Sequence, residues 1–265
     1  MKATREKRNF KNLVYTSISQ VIVLGLALVV PRFVITGYGS DTNGLIGTVS
    51  QIMAYMAMLE AGIGQATRNE LYQYIHGDVF DKHHISSVMS VSRKTYRNIT
   101  KIYALAVILF ALFFPFIIKT DVDHFTVTVV ILIEGLSGVV SFFFVQNHTN
   151  ILAVDGKQYV NANVDLIFRV LIYIVKITMA ATGVNIIFME IGFFLATLIK
   201  LLIYHYYMKT NYGWINYNHS EKGKKLKDRN SYIVTEVAWT VFSSTDMIVI
   251  SIFCSTKQRE CKDSM

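Results

Sequence analysis

Seven long apolar blocks, separated by polar segments, run through this chain of 265 residues. A helix of about 20 apolar residues spans the hydrocarbon core of a bilayer. Inside lipid, only helices and closed barrels pair every backbone N–H and C=O. The blocks do not alternate apolar with polar residues, so helices are favoured over barrel strands. The fold class predicted is an all-α integral membrane protein. Composition agrees: 52% of residues are hydrophobic and 17% charged, the latter below the roughly 25% of soluble domains.

The blocks divide the chain as follows. A basic N-terminus covers 1–11, a first transmembrane lobe of six spans covers 12–208, a polar basic loop covers 209–232, and a seventh span covers 233–254. The six spans fall near 12–35, 44–66, 99–118, 125–146, 164–181 and 186–208. The first block follows five Lys and Arg, as a signal peptide would, but it is too long for one and lacks a small-x-small cleavage site. With the N-terminus inside, the inner segments 1–11, 67–101, 148–162 and 209–232 hold eighteen Lys and Arg, against one in the three outer links. That asymmetry predicts a cytoplasmic N-terminus in a membrane protein that passes the bilayer many times.

The same asymmetry accounts for the net charge of +8, so nucleic acid is not an expected partner. Two cysteines, Cys254 and Cys261, make neither a disulfide framework nor a metal set. His83 and His84 lack ligand-spaced partners. No P-loop, dinucleotide fingerprint or nucleophile–base pair occurs, so no enzyme activity, metal or cofactor is expected.

Ionisable groups within spans cost about 2.5–3.5 kcal/mol each at the helix centre, so each needs a reason. Glu60, Glu134, Arg169, Lys176, Glu190, Lys200, Glu236 and Asp246 lie in or near the spans. Glu190 and Glu236 sit near span ends, where water is expected to be close. In "DLIFRVLIYIVK", Asp165, Arg169, Tyr173 and Lys176 share one helical face. Asp165 is spaced to pair with Arg169. Lys176 and Lys200 have no acid at helical spacing, so their partners come from another helix or a ligand. Two readings stand together here. One is interhelical ion pairs with Arg169 and Lys200 snorkelling toward the headgroups. The other is a cavity with cationic walls for an anionic headgroup. The tyrosines of "IYHYYM" read as an interfacial belt.

Several stretches together resemble a family. "NLVYTSISQVIVLGLALVVPRFVITGYGSDTNGLIGTVSQI", "MLEAGIGQATRNELY", "AVDGKQYVNANV" and "VFSSTDMIVISIF" occur in that order. They look like the N-terminal half of a Wzx-type polysaccharide flippase, of the superfamily that also holds MATE drug exporters and the lipid II flippase. The resemblance implies a six-helix N-terminal lobe plus the first helix of a second lobe. It also implies alternating-access transport of an undecaprenyl-diphosphate-linked oligosaccharide for capsule or exopolysaccharide assembly. Carried onto this chain, it makes Arg169, Lys176 and Lys200 candidate substrate-binding cations, with Glu60, Glu134 and Asp246 as charge partners or coupling groups. The second lobe is missing after its first helix, and residues 255–265 read as an aberrant, frameshifted tail. On this reading the chain alone does not transport, and a separate downstream chain is a possible partner for the second lobe, besides membrane lipid.

Two other functions compete. A drug or cation exporter of the same superfamily would bind an amphipathic cation. A membrane glycan polymerase or ligase would need a sizeable outer loop, and the outer links here are short.

Overall fold

A computed structural model describes residues 2–76, 80–118, 120–217, 226, 230–236, 238, 239 and 242. Among these residues every regular element is helical and no strand occurs. The elements are α1 (Lys2–His76), α2 (Lys82–Ile117), α3 (His124–Val140), a π-helical turn (Ser141–Val145), α4 (Gln146–Val154), α5 (Gln158–Thr182) and α6 (Ile186–Tyr212). Among the described residues four helical stretches are long and apolar enough to cross a membrane: Glu6–Met58 within α1, α2, the continuous His124–Val154, and α6. The fifth helix, α5, is not among them and carries Asp165, Arg169 and Lys176.

The 75 residues of α1 are not one rod. Gly39 has φ 85° and ψ 168°, a left-handed backbone open to glycine and strained for other residues. The chain folds back there. At one end of the hairpin Arg8 Nη1 donates to the Asp155 carbonyl (3.2 Å), and at the other His76 Nε2 lies 2.7 Å from the Val154 carbonyl. Both arms therefore return to the α4–α5 link. Asn12 fastens the first arm there, donating to the Gly156 carbonyl and accepting from the Tyr159 N–H.

That link is shorter than the sequence suggests. The fourth apolar run does not stop near Gln146 but continues as helix to Val154, and α5 starts at Gln158. Only Asp155, Gly156 and Lys157 separate the two helices. Asp81 caps α2, accepting from the His83 and His84 amides, and Asp123 caps α3, accepting from the Thr126 amide. At the other end of α5, Gly183 adopts a left-handed φ of 65° and stops the helix.

The residues tied to the α4–α5 link define a basic end of the bundle. Four cations there lie over aromatic rings: Lys11 over Tyr159, Lys82 over Trp214, Arg93 over Tyr217 and Lys157 over Tyr212. The opposite end holds Gly39 and the α2–α3 and α5–α6 links. Between the ends lie three apolar clusters. One surrounds Ile85, Met89, Tyr96 and Leu152, one surrounds Val49, Val127 and Phe142, and one surrounds Val34, Val130 and Met189.

The outside is apolar as well. Leu28, Phe116, Ile117 and Phe125 are strongly exposed, as expected of a surface that meets lipid and not water. Two buried hydroxyls are satisfied within their own helices: Thr67 and Thr100 donate to the carbonyls four residues back. Residues 230–232, before the seventh apolar run, and 233–236, 238, 239 and 242 within it are helical. Asp246, the remainder of 233–254 and the tail 255–265 lie outside the described residues.

Candidate functional site

Polar and charged side chains collect between the helices in three places. The first is a groove of about 130 Å³ between the first arm of α1 and α5, lined by Thr16, Ser19, Gln20, Gln158, Asp165 and Arg169. Ser19 is buried, and its Oγ has no hydrogen-bond partner among the described residues. Arg169 is exposed at this groove and makes no ion pair among the described residues.

Asp165 does not pair with Arg169, as the spacing on α5 suggests. Its Oδ1 lies 2.7 Å from Lys200 Nζ of α6. The physical reason is helix packing: α6 lies directly against α5 and brings Lys200 across the interface, where its ammonium also sits over the Phe168 ring at 4.8 Å. Lys200 is thus drawn into the bundle and does not snorkel outward.

The second place is a cavity of about 290 Å³ bordered by Ser50, Tyr103, Glu134, Ser137, Phe168 and Phe193, among others. Glu134 is 9% exposed, and Ser50 Oγ donates to its Oε1 at 2.7 Å. Tyr103 stacks edge-on against Phe142 and closes one wall.

The third is a network of buried polar groups nearer the basic end. Arg68 Nη1 donates to Asn150 Oδ1 (2.8 Å), Arg68 Nη2 donates to Gln65 Oε1, and Asn150 Nδ2 donates to Tyr96 Oη (2.8 Å). Glu60 faces Tyr96 and the charges of Arg68 and Lys200. Gly64 roofs this network, because a Cβ there would lie 3.2–3.3 Å from Arg68, Asn150 and Tyr96. Read together, Arg68, Glu60, Lys200, Asp165 and Arg169 form a series of alternating charge from α1 across α6 to α5.

Two further placements differ from sequence expectation. Glu190 is not near water: it is 1% exposed, facing Glu134, Lys176 and Tyr38. Tyr204 of the "IYHYYM" stretch is fully buried, its hydroxyl donating to Asn161 Oδ1 at 3.2 Å, and is no part of an interfacial belt. Sequence reasoning also missed Arg68, Gln65 and Asn150: Arg68 and Asn150 fall in the inner segments 67–101 and 148–162, and Gln65 at the end of the second span. The helical spacing of Ile63, Thr67 and Leu71, all fully buried, was the available signal that the helix runs on.

Among the described residues no group of three or more His, Cys, Asp or Glu is placed to hold a metal ion. No protein-family model, curated protein or solved structure matches this chain.

Proposed function

We propose that the chain is a lobe of a bacterial cytoplasmic membrane carrier for an anionic lipid-linked glycan, of the polyprenyl-diphosphate type. In this reading the basic end faces the cytoplasm, following the eighteen-to-one distribution of Lys and Arg. Six crossings make the lobe: the two arms of α1, then α2, α3 through α4, α5 and α6. The observation that carries the reading is the α1–α5 groove, where the Arg169 guanidinium, without an ion pair among the described residues, stands beside Thr16, Ser19, Gln20 and Gln158. A guanidinium suits a phosphate oxygen pair, and hydroxyls and amides suit sugar hydroxyls. Lys200 supports the groove through Asp165.

A second reading has its own support. The central cavity combines the Glu134 carboxylate with Tyr103, Phe168 and Phe193, a lining suited to an amphipathic cation. This is the drug or cation exporter of the same superfamily.

One experiment separates them. The purified chain in micelles is titrated with undecaprenyl diphosphate and with tetraphenylphosphonium, and binding is read by native mass spectrometry. The flippase reading expects the diphosphate lipid to bind and Arg169→Gln to weaken it about tenfold or more, the value of a charge-assisted hydrogen bond. Binding of tetraphenylphosphonium alone, lost in Glu134→Gln, selects the exporter. Binding of neither would sink both.

A further inference from the structure

Glu190 is the most deeply buried carboxyl among the described residues, at 1% exposure, and no donor reaches its Oε1. The titratable groups that face it come from each neighbouring element. Tyr38 approaches from the first arm of α1, with a buried hydroxyl that also has no partner among the described residues. Glu134 comes from α3 and Lys176 from α5. Tyr173 borders the same apolar cluster, whose buried members are Val30, Val34, Ile46, Val130, Ile186 and Met189.

Two carboxyls here face one ammonium. Lys176 makes no ion pair within 4.0 Å among the described residues, and its single charge acts on both acids from longer range. If all three groups were ionised, the site would carry one uncompensated negative charge within a membrane-embedded bundle, where such a charge is costly. Glu134 has the means to stay ionised, because it accepts from Ser50 and borders a cavity. Glu190 has neither. A metal cation is a poor replacement for the missing charge, since it needs several oxygen ligands and would stand against the Lys176 ammonium.

We propose that Glu190 is a proton-binding site: it holds one resident proton that neutralises the Glu134–Lys176–Glu190 group. The O–H bond forms between a proton taken from water and a Glu190 oxygen, and nothing is oxidised or reduced. Lys176 is then committed to this group and is not free for a ligand phosphate. The inference rests on the membrane-embedded fold and stands or falls separately from the carrier reading, because its test involves no transport.

The test is infrared difference spectroscopy of the full chain in lipid nanodiscs at pH 7, with helicity checked by circular dichroism. The expected result is a protonated-carboxyl C=O band in the unaltered chain that is lost in Glu190→Gln, with helicity unchanged because the amide is the neutral isostere. A second variant, Lys176→Met, is expected to add a protonated-carboxyl band, since the remaining acids then have no cation. Absence of the band in the unaltered, folded chain would overturn the proposal. So would persistence of the full band in Glu190→Gln, or its disappearance on adding sodium at constant pH, which would assign the site to a metal cation. Loss of helicity in Glu190→Gln would also overturn it, by showing that an ionised Glu190 holds the helices.

Discussion

Lys200 of α6 reaches across the helix interface to Asp165 of α5, with Nζ 2.7 Å from Oδ1, and leaves Arg169 one turn along without an acid among the described residues. The pair is unevenly buried: the lysine side chain is 16% exposed and the aspartate 48%. Its worth should therefore lie between that of exposed and buried pairs. Lys200→Met is expected to lower stability by about 1–2 kcal/mol, by interpolation between those two classes. Adding Asp165→Asn should restore part of it, and Arg169→Gln alone should change little. Thermal unfolding in detergent checks all four chains. Equal loss in Lys200→Met and Arg169→Gln would show that the bridge is not the stabilising contact.

Gly62 allows two backbones to touch. A Cβ at that position would lie 2.6 Å from the Ile233 Cα, an atom that cannot swing aside. Gly62→Ala should cost about 1–3 kcal/mol through overpacking. Gly25→Ala meets nothing within 4 Å and should be neutral or slightly stabilising, given the higher helix propensity of alanine. A matched pair of melting curves decides it, and equal curves would mean that residue 233 does not pack on α1.

The two ends of the bundle should differ in access. With Cys254 and Cys261 replaced by Ser, Asp121→Cys should react with a membrane-impermeant maleimide in intact cells. Lys94→Cys should react only after permeabilisation. The reverse pattern would invert the orientation proposed from the basic end.

Helix capping gives the chain a pH response outside the spans. Hydrogen bonds from Thr126 hold the Asp123 carboxyl below its usual range, and His84, above all, does the same for Asp81. A folded pKa below the unfolded one means that the stabilisation is complete above the ordinary aspartate range and is lost as pH falls through the folded value. Amide exchange in the first turn of α3 should therefore quicken at acid pH. Asp123→Asn, which keeps an acceptor, should abolish that pH dependence. Exchange that stays pH-independent in the unaltered chain, after correction for the intrinsic rate, would remove the cap from the account.

The apolar blocks disclosed the helices because lipid tolerates little else, and the short link between the first two blocks, near 36–43, contains the reversal at Gly39. What stayed hidden was lateral. Helical spacing names the face on which Asp165 stands but not the neighbouring helix that supplies its partner, so Arg169 was the natural guess and Lys200 the observed answer. Depth misled for Glu190 in the same way. Four residues from the start of α6 suggests water nearby, yet α1, α3 and α5 close over that turn. Arg68 and Asn150 were hidden by an opposite error, in which polarity was taken for a loop. Buried polar residues that satisfy one another have the composition of a loop and the environment of a core.

The π-helical turn at Ser141–Val145 sets the phase between the two halves of one long helix. An ordinary helix advances about 100° per residue, so Asn150 would point about 160° away from Glu134. The extra residue of a π-type turn takes out about one step of rotation and narrows the difference to about 60°. Glu134 can then border the central cavity while Asn150 still reaches Arg68 and Tyr96. The helix behaves as two gears keyed to a common shaft. Drawing the turn out into ordinary helix with every residue kept would return the difference to about 160° and uncouple the carboxylate from the amide by a quarter turn or more.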